Sequence, residues 1–183
     1  MVHKHPTSSV FVFRRTGEGW RLGLIEHPRF GRMMVPGGHV EPEESQAEAA
    51  LREVAEEAGL AVRLVSPPAA PLPGGYRERR VALPWWIVEY QVPRDNHLDE
   101  AHVHIDHLYV ALADGGPTVG QPAHPFGWYA AADLPGLHMF DDARIMALAL
   151  LSGLPGPSAP DGDGGAADPA RLGAALLASL GGP

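Results

Sequence analysis

An unbroken apolar run, Val10-Phe11-Val12-Phe13, predicts a buried strand near the start of the chain. Thr16-Gly17-Glu18-Gly19 reads as a turn and Trp20 to Glu26 as the returning strand. His27 to Gly31 reads as a loop and Met33-Met34-Val35 as a short strand. Pro36-Gly37-Gly38 then lets the backbone approach a ligand closely. The period changes after this point. Ser45 and Glu48 have capping-box spacing, so a helix should begin at Ser45, and Gly59 is a natural stop. A helical period places Ala47, Leu51, Val54 and Ala58 on one apolar face.

Further along, residues 61 to 66, 81 to 92, 102 to 112 and 127 to 129 read as strands, with Pro84 marking an edge or bulge in the second. Pro67 to Gly75 holds four prolines and reads as a stiff loop. Asp133-Leu134-Pro135-Gly136 is a turn, and Asp141 to Leu151 a second helix with Asp141 as its cap. Residues 153 to 168 have the Gly, Pro, Ala, Ser and Asp composition of a linker. Asp168-Pro169 then opens a last helix through Leu180, whose Leu172, Leu176 and Leu180 form a stripe that must be buried on its own domain or on a partner subunit. Strands interrupted by one helix and closed by another predict the α/β class, a sandwich of helices around a mixed sheet. The expected organisation is a domain over residues 1–152, a linker over 153–168 and a C-terminal helical segment over 169–183.

Composition narrows the chemistry. A chain of 183 residues is long enough for one domain with a real core. Without cysteine it has no disulfide, thiolate zinc site or cysteine nucleophile. No apolar run approaches the roughly 20 residues of a membrane span, and the first residues lack an apolar signal core, so a cytoplasmic protein is expected. The net charge of −8 argues against nucleic acid as a partner.

That negative charge is concentrated. Between Glu41 and Glu57 stand seven acids and one base, Arg52. On the helix, Glu53, Glu56 and Glu57 converge at i, i+3 and i+4, where like charges destabilise by roughly 0.2–0.5 kcal/mol per pair. A helix built only for stability would intersperse lysines. Converging carboxylates make sense around a hard divalent cation, because Mg²⁺ and Mn²⁺ prefer oxygen ligands.

Gly38, Glu44, Arg52, Glu53, Val54, Glu56, Glu57, Gly59 and Leu60 follow the spacing G-x5-E-x7-R-E-U-x-E-E-x-G-U, with U aliphatic. This resembles the signature of the Nudix hydrolases, with every fixed position filled. The resemblance extends loosely over residues 7 to 152 and is specific over 36 to 60. It implies an α/β/α sandwich and a divalent-metal-dependent pyrophosphohydrolase that cleaves a nucleoside diphosphate linked to a group X. It further implies Mg²⁺ or Mn²⁺ on Glu53, Glu56 and Glu57, a backbone carbonyl ligand at Gly37 or Gly38, and Arg52 orienting the glutamates. Glu44 and Gly59 would support the motif. The alternative within the family is a non-catalytic ligand-sensing or regulatory domain. Sensors usually lose box glutamates, and this chain keeps Glu44, Glu53, Glu56 and Glu57.

A second cluster, His102-Val103-His104-Ile105-Asp106-His107, lies on an expected strand, where His102, His104 and Asp106 share a face. Three readings stand beside one another: substrate lining, a transition-metal site, or plain structure. Glu100 is a further possible ligand or base. Aromatic candidates for stacking on a nucleobase are Trp20, Phe30, Tyr76, Trp85 and Trp86. Arg77, Arg79 and Arg80 could grip phosphates. The expected partner is a small nucleotide, with a homodimer as an option.

Overall fold

The computed structural model describes residues 2–95, 98–113, 119–155 and 169–180. These form one eight-stranded mixed sheet between helices. Its long central strands are β1 (Lys4–Thr16) and β7 (His102–Leu112), paired in parallel from Lys4 opposite Val103 to Phe13 opposite Leu112. Every other strand pairing is antiparallel.

The other edge of β1 is shared by two strands. β2 (Gly19–His27) pairs with its C-terminal half, and β4 (Gly37–His39) with Thr7 to Ser9. β3 (Arg32–Met34) and β8 (Phe126–Tyr129) continue the sheet beyond β2. The other edge of β7 is likewise divided, between β5 (Arg63–Val65) and β6 (Trp86–Val92).

Alternation along β1 feeds two cores. Val10 and Val12 join Ile25, Tyr109 and Ala111 under α1 (Gln46–Ala58). Phe11 and Phe13 join Leu22, Leu24, Val65, Val110 and Leu112 under α2 (Asp141–Gly153) and α3 (Pro169–Leu180). The result is the expected α/β/α sandwich. β1 reaches well past its apolar run because buried Thr7 and Ser8 and half-buried Ser9 still pair on both edges.

Several elements differ from the sequence reading. α1 has its capping box at Ser45 and Glu48 and ends at Gly59 with φ 68°, as expected. Its buried stripe, however, is Ala47, Ala50, Val54 and Ala58, while Leu51 is 38% exposed. The alanines let the helix lie close to β1, and Leu51 turns about 100° from Ala50, to the margin of the contact. Gly37-Gly38-His39, to which the sequence reading gave no element, is a strand, because β1 offers an edge to pair with there. The strand expected over 81–92 begins only at Trp86, after Pro84. At α2 the cap position is Phe140, with extended backbone, and Asp141 is the first helical residue. Its carboxylate favours that helix start without capping it.

Leu172 and Leu176 of α3 are buried with Leu150 and Val65, and Leu180 packs beside them. The expected linker lies outside the described residues from 156 to 168, as does the proposed cap Asp168. Among the described residues no helix is long and apolar enough to cross a membrane.

Candidate active site

β4 runs into α1, and their junction gathers the acidic residues of the motif around one guanidinium. Arg52 donates from Nε and Nη2 to Glu44, at 3.1 Å and 2.7 Å. Nη1 donates to Glu53 Oε1 at 2.8 Å and to Glu56 Oε2 at 3.1 Å. Nη2 also reaches the carbonyl oxygen of His39 at 3.0 Å. A planar fork with fixed donor directions can hold three carboxylates and a strand carbonyl at once, which an ammonium could not. Glu44 in turn accepts from the Glu41 N–H at 3.0 Å, so the loop before α1 is tied to the same centre. The Arg52 hydrogen bond holds the Glu44 carboxyl below its ordinary value.

The glutamates differ in environment. Glu57 is 9% exposed. One carboxylate oxygen accepts from the Gly37 N–H at 3.0 Å, and the other lies 3.3 Å from His124 Nε2. Burial pushes the Glu57 carboxyl up to about 7 against the opposing Gly37 hydrogen bond, with Glu53 and Glu56 adding to the rise. Burial also raises Glu53, against the pull of Arg52. Glu56 is exposed. Gly38 is small for a reason: a Cβ there would lie 2.4 Å from Glu53 Oε1.

Carboxylates raised chiefly by burial fit a divalent cation, and carboxylate oxygens are the donors that Mg²⁺ or Mn²⁺ prefers. Glu53, Glu56 and Glu57 could hold it, and Glu57 also groups with His27 and His124, with donor atoms within 4.8 Å of one another. The rim beside them is built by a segment the sequence reading did not single out. Val119, Ala123 and His124 donate backbone N–H groups to the carbonyls of Gly59, Glu56 and Glu57, covering the end of α1. This places His124 beside Glu57, and the His27 ring 5.5 Å from that of His124. Burial lowers the His27 imidazole, with His124 and Arg29 contributing. No local motif signals this group, because its members come from β2, α1 and the approach to β8.

The other candidates are distributed differently. Tyr76, Arg77 and Arg79 lie exposed on the loop between β5 and β6, and Arg79 approaches Glu48 rather than the box carboxylates. Trp86 packs against the core below α2 and α3, 5.8 Å from Trp85. Trp85 and Trp20 donate their indole N–H groups to the carbonyls of Val65 and Pro155. Phe30 lies 4.9 Å from His27, whose ring adjoins that of His124, and 5.9 Å from Phe140.

On β7, His102, His104 and Asp106 do share a buried face. Asp106 is nevertheless separate from the histidines. It accepts from Thr7 at 3.0 Å and Ser9 at 2.8 Å, and burial raises its carboxyl. The two histidines meet Asp95 and His39 instead.

The NUDIX domain family matches residues 3–149. Among solved structures, a NUDIX-family hydrolase from Clostridium perfringens is 25% identical with a TM-score of 0.61, covering 82% of this chain and 98% of its own. The NUDIX domain of Shewanella oneidensis NrtR, solved with ADP ribose, is 16% identical at TM-score 0.50, covering 80% and 86%. A C. elegans Ap4A hydrolase in a binary complex is 12% identical at TM-score 0.50, covering 78% and 92%. These last two support the fold alone. Comparison with curated proteins gives no match.

Proposed function

The chain belongs to the Nudix family and is a Nudix hydrolase acting on phosphorus-containing anhydrides, and from that premise we propose that it is a Mg²⁺- or Mn²⁺-dependent pyrophosphohydrolase of a nucleoside diphosphate linked to a group X. One observation carries the reading: Arg52 gathers Glu44, Glu53 and Glu56 while the Gly37 N–H fixes Glu57 beside them. The cation held by Glu53, Glu56 and Glu57 supplies neutralisation of phosphate charge and activation of water.

The remaining work falls to the protein. Arg52 restrains Glu53 and Glu56 so that their oxygens need no reorganisation when the anionic substrate arrives. Glu57, raised toward neutrality by burial, would hold the cation as its carboxylate, so that metal binding would be linked to loss of its proton. His124, 3.3 Å from Glu57, is placed to hold a proton at Nε2 or to donate to a phosphate oxygen. Phe30, 44% exposed and flanked by Arg29 and His27, offers a face to the base or to group X. A purely ligand-sensing role is not favoured, since all four glutamates are present and organised.

The test is phosphate release from nucleoside di- and triphosphates, dinucleoside polyphosphates, ADP-ribose and nucleotide sugars, each with Mg²⁺, Mn²⁺ or EDTA. Metal-dependent turnover of one class, lost in Glu57→Gln, is expected. No turnover across the panel, with a nucleotide still raising the melting temperature, would overturn the enzyme reading in favour of a sensor.

A further inference from the structure

On the sheet face opposite α1, where the apolar core gives way to polar residues, four side chains from three segments converge. They are His39 of β4, His102 and His104 of β7, and Asp95 from the connection between β6 and β7. Asp95 Oδ2 lies 3.1 Å from His102 Nε2, 3.2 Å from His104 Nε2 and 3.3 Å from His39 Nε2. The two Nε2 atoms of His102 and His104 are 3.1 Å apart. All four donor atoms lie within 4.8 Å of one another.

These spacings are those of a coordination shell. A tetrahedral Zn²⁺ with N and O ligands at about 2.0–2.1 Å has donors about 3.3–3.4 Å apart along each edge. Four edges of the cluster match that length within a few tenths of an ångström.

Proton accounting points the same way. His102 Nδ1 is 2.9 Å from the carbonyl oxygen of Glu100, which can only accept, so Nδ1 carries the hydrogen. Nε2 then faces a carboxylate oxygen and a second imidazole nitrogen. A proton on His104 Nε2 can be shared with Asp95 Oδ2 and His102 Nε2, and a cation would take its place among the donors. His104 Nδ1 lies 3.3 Å from the Tyr90 hydroxyl, which can either donate or accept. A ligating histidine whose far nitrogen is anchored to an oxygen is the usual outer support of a metal site.

We propose that His39, Asp95, His102 and His104 form a transition-metal site, with Zn²⁺ as its ion, separate from the carboxylates of α1. The donor sets differ, three imidazoles and one carboxylate against the three carboxylates of Glu53, Glu56 and Glu57, so the two sites favour different metals. The ion ties the Asp95 segment to the sheet. It also holds His39, whose carbonyl oxygen accepts from Arg52, and so acts on the hydrolytic site by positioning β4. This inference does not depend on which anhydride is cleaved.

The test uses the full chain, stripped with a chelator and loaded with Co²⁺ in excess Mg²⁺. One equivalent with the intense visible absorption of tetrahedral Co²⁺, bleached by Zn²⁺, is expected. Losing an outer partner of a metal site lowers affinity by about 10–100-fold, so Asp95→Asn and His104→Ala should each weaken Zn²⁺ by more than about 100-fold. Glu56→Gln and Glu57→Gln should retain it. A weak, octahedral Co²⁺ spectrum in the wild type would overturn the proposal. So would a tetrahedral spectrum that survives Asp95→Asn, a loop substitution that leaves the sheet intact.

Discussion

Gly38 stands so close to Glu53 that a methyl group on its Cα would lie 2.4 Å from the Glu53 carboxylate. Its neighbour Gly37 is confined by different atoms: a Cβ there would meet the Ser8 carbonyl oxygen at 2.4 Å and Ser9 Cα at 2.9 Å. The first obstacle is the end of a flexible side chain and the second is backbone. Gly38→Ala should therefore fold almost normally while displacing Glu53, lowering turnover about 10–100-fold. Gly37→Ala should cost about 1–3 kcal/mol of stability by forcing β4 from β1. Paired melting curves and rate measurements check this, and the reverse order of effects would contradict it.

Glu56→Gln and Glu57→Gln should each reduce turnover by about 100-fold or more with the circular dichroism spectrum unchanged. Near-normal rates in both would remove the metal assignment on α1.

A pH dependence follows from Glu57. Its carboxyl is raised from 4.5 to about 7 in the folded protein, chiefly by burial. Between those values the folded state binds more protons than the unfolded one. The contribution of Glu57 to stability is thus fully present below about pH 4.5 and is lost as pH rises through about 7. In EDTA the wild type should lose melting temperature relative to Glu57→Gln across that window, and Mg²⁺ or Mn²⁺ should restore it above about pH 7. Parallel melting curves for the two proteins would place the titration elsewhere.

What the chain revealed in advance was local. Ser45, Glu48 and Gly59 bound α1 through contacts within one helical turn, and the spacing of Arg52 to the glutamates is fixed by that helix. The missed features depend on distant segments. Leu51 and Ala50 are both apolar, and only the position of β1 decides which is buried. His124 reaches Glu57 because residues 119–124 cap the carbonyl end of α1. His39 and Asp95 reach His102 and His104 from another strand and from the β6–β7 connection, so the histidine run on β7 showed half of a cluster and suggested Asp106, which Thr7 and Ser9 occupy instead.

Truncation before α3 should preserve chemistry and lower stability. Leu176 is fully buried beside Leu150, and a Cβ on Gly173 would lie 2.7 Å from the Ser66 carbonyl oxygen, so this helix is closely seated. Leu176→Ala should cost about 2–5 kcal/mol in denaturant unfolding with kcat unchanged. A fall in kcat at constant stability would mean that α3 serves the site.

The parallel pairing of β1 with β7 also governs how the chain is made. Thr7 and Asp106, typical of that pairing, are 99 positions apart. A ribosome adding about 5–20 residues per second leaves β1 without its central neighbour for roughly 5–20 s. Loop closure over such a length opposes early pairing, so assembly waits on the last part of the sheet. Val10 to Phe13, almost wholly shielded in the finished protein, then keeps one backbone edge open until β7 has been made.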